Sequence, residues 1–225
     1  MIDLATLNGR LMDNNTFSGN KTSTEGKPFQ WQKVYLAYAT VMFFVLTVGF
    51  LGNVVTLIVL RYREHRRKVI TPLMINLAVA DLVIIVLVYP VIAATNLLGV
   101  PLKEGSFRCI WSSFANGVAG ITSIASLTSM IGVMYHVFRQ TVPHPKIHTK
   151  YMTLIVTGTW LYGLLLNLPP VIGWSRAIPG KAGISCGPDW ATSDTEGIIY
   201  IVFLLMFGFF IPITMIATFY YFIYR

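Results

Sequence analysis

The chain has 225 residues, of which 55% are hydrophobic and only 12% charged, and its mean hydropathy is +0.64. A soluble domain carries about 25% charged residues, so this composition excludes an ordinary water-soluble globule and points to a membrane protein with the lipid bilayer as its partner. The net charge of +8 does not argue for nucleic acid, and no such partner is expected, because the basic residues sit in short clusters between apolar runs, as loops at a membrane surface do.

Residues 1–33 are polar and rich in Asn, Thr, Ser and Gly. They lack the apolar core of a cleavable signal peptide, so they are expected to be a disordered tail, with the first apolar helix serving as its own insertion signal. Asn14-Asn15-Thr16 and Asn20-Lys21-Thr22 are both sequons, which makes Asn14 and Asn20 candidate glycosylation sites and favours an outside amino end.

Five apolar spans follow, at about 34–60, 70–98, 109–138, 151–172 and 197–224. Each is long enough to cross the hydrocarbon core, which takes about 20 helical residues. Backbone groups must be paired inside lipid, so such spans are helices or strands of a closed barrel. Barrel strands alternate apolar and polar residues; these runs do not, and the expected fold is an all-α transmembrane domain over 34–225. The spacing predicts that Pro90 kinks the second helix, that Pro169-Pro170 closes the fourth and that Pro212 breaks the fifth.

The loops bear on orientation. With the amino end outside, the inner side holds nine Lys/Arg and the outer side eight, so the count hardly decides. Five of the nine, Arg61, Arg63, Arg66, Arg67 and Lys68, crowd into one eight-residue loop, and that density supports an inner placement. The carboxyl end is then expected in the cytoplasm.

The two cysteines show no spacing that suggests zinc. In this orientation Cys109 lies at the outer end of the third helix and Cys186 in the outer loop after the fourth, both on the oxidising side. A bridge between them would pin that loop over the bundle; two free cysteines are the alternative. Asp81 sits mid-helix, where a carboxylate costs about 2.5–3.5 kcal/mol on insertion scales. It is expected to face the interior, with Asn53 and Ser123 as partners, and it is a functional candidate by position. The alternative is a protonated carboxyl that only joins helices.

Taken together, these residues resemble the rhodopsin-like receptors with seven transmembrane helices. Gly52-Asn53 is similar to that family's first-helix motif and residues 76–82 to its second-helix motif. Cys109, Trp160, Pro212 and Tyr220 fall where the family keeps its disulfide cysteine, fourth-helix Trp, fifth-helix Pro and fifth-helix Tyr. Asn53, Asp81 and Ser123 fit its internal sodium site; no other metal is implied. A narrower resemblance, to the opsins, rests on residues 168–176 continuing through Ile178-Pro179, which look like the opsin loop entering the retinal lid, and on Ser185-Cys186-Gly187-Pro188-Asp189-Trp190, which look like the lid strand that follows. It covers residues 35–225, helices one to five of a seven-helix bundle, and implies a chain that stops after its fifth helix.

The resemblance implies retinal, 11-cis or all-trans, as cofactor of the complete form. By position the pocket falls on Asn116, Gly117, Gly120 and Ile121, on Pro188 and Trp190 of the lid, and on Leu204, Gly208 and Phe209. It also implies a lid ion pair between Arg176 and Asp189. Small residues at these places fit ordinary helix packing as well.

The family pattern fails at three places. No lysine lies inside the five spans to hold retinal as a Schiff base. The two counterion positions are Ser112 and Gly180. The acid–Arg–Tyr triplet is replaced by Val133, Met134 and Tyr135, with Arg139 about one turn further on. The implied activity is a non-visual photoreceptor of the plasma membrane coupled to a heterotrimeric G protein, and no enzyme. Loss of the triplet keeps open a retinal photoisomerase or retinoid-binding opsin with little coupling, and a non-signalling five-helix fragment.

Overall fold

A computed structural model describes residues 29–62, 68–97, 101–140, 147–180, 183 and 185–225. The sequons at Asn14 and Asn20, most of the expected tail, and Arg63, Arg66 and Arg67 lie outside the described residues. The chain divides at Leu36/Ala37. Residues 29–36 are the opening turns of the first helix, and residues 37–225 form the helical bundle and its loops.

Five helical rods are present among the described residues. Helix α1 is Phe29–Leu60. Helix α2 runs through three continuous stretches, Thr71–Val83, a π turn at Ile84–Val88, and Tyr89–Leu97. Helix α3 is Phe107–Phe138, α4 is Thr149–Asn167, and α5 is Thr195–Leu205, a π turn at Met206–Phe210, and Ile211–Tyr224. Between α4 and α5, strands β1 (Ala177–Pro179) and β2 (Cys186–Pro188) pair antiparallel, with Ile178 opposite Gly187.

The local chemistry explains the boundaries. Ser106 caps α3 by accepting from the Cys109 N–H, a favoured use of serine at a helix start. Pro72 sits in the first turn of α2, where a missing N–H costs nothing. Helix α4 ends at Asn167, short of residue 172, because Pro169 and Pro170 cannot extend the backbone ladder. Pro212 does not break α5: the helix continues through it, and a π turn just before the proline absorbs the misfit. Pro90 is accommodated in the same way after Ile84–Val88.

Helix α3 is the hub. It packs against α2, α4 and α5 and lies beneath both strands. Its 32 residues span about 48 Å at 1.5 Å each, well beyond the roughly 30 Å of a hydrocarbon core. Its packed face carries Ala115, Val118, Ala119, Thr122 and Ser126, all buried, and small side chains there let neighbouring helices come close. A Cβ on Gly163 of α4 would lie 2.7 Å from the Val118 carbonyl oxygen, so the α3–α4 seam admits glycine alone at that point. Among the described residues, four helices are long and apolar enough to cross a membrane. Helix α4, expected as a fifth such span, is helical but more polar, because Lys150, Thr149, Thr153, Thr157 and Thr159 dilute its leucines.

Candidate functional site

The end of the bundle that carries the strands is organised by one bond. Cys109 and Cys186 form a disulfide, 2.01 Å between sulfurs and 5.3 Å between Cα atoms, and both residues are buried beside Leu102. The hairpin β1–β2 is thereby fastened to the first turn of α3. A second tether joins its tip to the α2–α3 connection, where the Leu102 N–H donates to the Gly183 carbonyl at 3.0 Å. Gly183 takes φ +67°, and a Cβ there would meet Pro101 at 2.9 Å, so glycine serves both the left-handed backbone and the close approach.

The hairpin register carries Arg176 and Asp189 to facing positions just beyond the paired strands, and both line a small polar hollow with Thr192, Asp194 and Glu196. The expected ion pair is not closed. Asp189 Oδ1 accepts instead from the Ala191 N–H at 3.2 Å, a local turn bond that costs less ordering than reaching for an exposed guanidinium.

Below the hairpin, the positions expected to line a pocket divide. Ile121, Leu204 and Gly208 come together: a Cβ on Gly208 would lie 2.9 Å from Ile121 Cδ1 and 3.7 Å from Leu204 Cδ1. Gly120 has nothing within 4 Å of where its Cβ would be, so room exists beside it. Gly117 faces α4 instead, because Asn167 Oδ1 sits 2.0 Å from its would-be Cβ and fills the notch the glycine leaves. Pro188 is half-buried, whereas Asn116, Trp190 and Phe209 are exposed, Trp190 at 61%. Ser112, at a family counterion position, is buried and donates to the Cys109 carbonyl at 3.0 Å; Gly180 donates its N–H to the Ser185 carbonyl at the hairpin tip.

Midway along the bundle, Ser123 Oγ donates to Asp81 Oδ1 at 3.1 Å. Asn53 does not join them; its side-chain amide donates to the Gly49 carbonyl one turn back on its own helix. A short step away lies a network that sequence reasoning missed. Asn76 Nδ2 donates to Ser126 Oγ (2.7 Å) and Thr159 Oγ1 (3.1 Å), and Trp160 Nε1 donates to Asn76 Oδ1 at 2.8 Å. One buried amide thus ties α2, α3 and α4. The available signal was an Asn in an apolar span, which must find partners.

At the opposite end, Val133 is buried against Leu73 and Met152, while Met134 is exposed. Tyr135 stacks near Phe219 and Phe222 of α5, at 5.5 and 6.0 Å between ring centroids. Arg139 reaches back to it: Nη1 donates to the Tyr135 hydroxyl at 3.2 Å, and the guanidinium lies 5.8 Å from the ring centre. Where the resemblance calls for an acid–Arg pair, aromatic packing joins α3 to α5, and the cation–π contact stays within the last turn of α3.

The arrangement defines a helical membrane bundle whose hub helix is disulfide-linked to a hairpin lid. Residues 52–225 match the family described as 7 transmembrane receptor (rhodopsin family), and the chain belongs to that family. It is 28% identical over 206 residues to rhodopsin of Lethenteron camtschaticum, covering 88% of this chain and 58% of that protein. It is 33% identical over 187 residues to melanopsin of Mus musculus, covering 83% and 36%. The fold matches the crystal structure of squid rhodopsin with a TM-score of 0.77 at 22% identity, over 85% of this chain and 52% of that one. The chain therefore spans little more than half the length of the rhodopsins it matches.

Proposed function

We propose that the complete protein is an opsin-type photoreceptor of the plasma membrane, amino end outside, that binds retinal and signals through a heterotrimeric G protein. The observation that carries this reading is the lid. Two opsin-like runs form the paired strands Ala177–Pro179 and Cys186–Pro188, bonded through Cys186 to the hub helix that also carries Ile121 of the Ile121–Leu204–Gly208 contact.

The residues fit part of such a pocket. Ile121, Leu204 and Gly208 offer an apolar wall, and the position beside Gly120 is open, with nothing within 4 Å of where its Cβ would be. Retinal, when bound, supplies light absorption and a change of shape on isomerisation. This chain excludes water from above with its tethered hairpin and passes motion to α5 through Ile121 and Gly208. The lysines of its helices, Lys33 and Lys150, lie in the opening turns of α1 and α4 rather than at membrane depth, and Ser112 provides no charge at the counterion position, so those two functions are assigned to groups other than these. Asp81 and Ser123 are proposed to hold a sodium ion between α2 and α3, with Asn53 outside the site.

The test is to express the complete protein with retinal, record its absorbance, and measure light-dependent nucleotide exchange on a G protein. A visible band and light-dependent exchange are expected; a colourless protein with no light response overturns the proposal. A second reading, a retinal photoisomerase, is favoured by the commitment of Arg139 to Tyr135, which withholds a cation near the altered triplet. Turnover of retinal isomers under illumination, resolved by chromatography, without nucleotide exchange would select it.

A further inference from the structure

The π turn in α5 creates a bonding problem that the helix cannot solve alone. At its end the Ile211 N–H donates to the Met206 carbonyl, five residues back. The next carbonyl, Phe207, has two intrahelical donors in reach: Ile211 in an α-helical register and residue 212 in a π register. The first is committed to Met206, and residue 212 is proline, which has no N–H. A carbonyl left unpaired at membrane depth is costly. It is paired from outside, since the Tyr162 hydroxyl on α4 donates to the Phe207 carbonyl.

We propose that Tyr162 is a positioning residue for α5: its hydroxyl replaces the donor that Pro212 removes, and it thereby holds residues 206–210 in the π register. Gly208 lies inside that turn, one residue past the latched carbonyl, and is buried against Ile121 of α3. Without the hydroxyl, the Ile211 N–H gains by moving from Met206 to Phe207, which draws the turn toward α-helical register. One residue of register is about 100° of rotation at 3.6 residues per turn. The face carrying Leu204 would then swing away from Ile121. The latch stands on the backbone bonding alone; its effect on a chromophore rests on the photoreceptor reading above.

The experiment uses the full 225-residue chain in lipid nanodiscs, without retinal, so that failure of the latch and failure of the photoreceptor reading are distinguishable. Hydrogen–deuterium exchange is followed by mass spectrometry in peptides covering residues 204–215, alongside thermal unfolding. Tyr162→Phe is expected to speed exchange there at least about fivefold, the factor a typical hydrogen bond carries. Pro212→Ala restores an N–H at residue 212, which makes the hydroxyl redundant, so Tyr162→Phe in that background should change exchange and midpoint by less than about half as much. Unchanged exchange in Tyr162→Phe overturns the proposal, and so does an effect equally large in both backgrounds, which would mark Tyr162 as packing alone. Should Pro212→Ala not fold, Tyr162→Trp serves: its ring N–H is a donor, and partial recovery relative to Tyr162→Phe is expected, whereas no recovery overturns the assignment.

Discussion

Replacing Asn76 with alanine tests the polar joint between α2, α3 and α4. The side chain is 5% exposed and takes part in three hydrogen bonds, two as donor and one as acceptor. Side-chain bonds between helices in a membrane average about 0.6 kcal/mol each, which gives about 2 kcal/mol for three. The losses are not equal. Ser126 and Thr159 keep their own bonds to the Thr122 and Val156 carbonyls and merely cease to accept, but the Trp160 N–H is stranded, which adds about 1–2 kcal/mol. Asn76→Ala should therefore destabilise by about 3–4 kcal/mol, whereas Ser126→Ala, which leaves Thr159 to accept from Asn76, should cost about 1 kcal/mol or less. Reversible unfolding in mixed micelles measures both, and the double variant should fall short of the sum by about 0.6 kcal/mol. A loss under about 1 kcal/mol for Asn76→Ala, or strict additivity with Ser126→Ala, refutes the claim that one amide joins the three helices.

Reducing the disulfide, or replacing both Cys109 and Cys186 with serine, removes a cross-link across 77 residues; the chain-entropy model assigns such a loop about 4–5 kcal/mol, and the unfolding midpoint under reducing conditions should fall accordingly. Gly117→Ala puts a methyl where Asn167 Oδ1 lies and should cost about 1–3 kcal/mol from overpacking; in an Asn167→Ala background most of that cost should vanish in the same unfolding assay. If Asp81 and Ser123 hold sodium, replacing potassium with sodium chloride at constant ionic strength should raise the thermal midpoint, and Asp81→Asn should abolish the rise.

Much of the architecture was legible because apolar runs without alternation admit only helices in lipid, and because Cys109 and Cys186 fall on one side once the helices are counted. The Ser123–Asp81 bond was legible for a related reason: a carboxylate at that depth must find a partner, and Ser123 is the polar group the neighbouring helix offers. What escaped depends on side-chain direction. Gly117 and Gly120 look alike in sequence, yet one faces Asn167 and the other open space, since three residues of helix turn the face to about 60° short of a full circle. Pro212 announced a lost donor but not that a π turn would absorb it, nor that a tyrosine on the preceding helix would supply the replacement. The Arg176–Asp189 pair was placed correctly on the hairpin, but a backbone N–H two residues on proved the nearer partner for the carboxylate.

The polarity of α4 has a consequence for how the bundle is made. A segment with Lys150 and four threonines partitions weakly into lipid when presented alone, while its buried residues Met152, Thr159, Gly163, Leu166 and Asn167 have a ready surface on the hub helix. Helices α3 and α4 are therefore expected to enter the membrane together as a hairpin, and substitutions that roughen their shared seam, at Gly163 above all, should appear first as failed insertion and only second as lost stability.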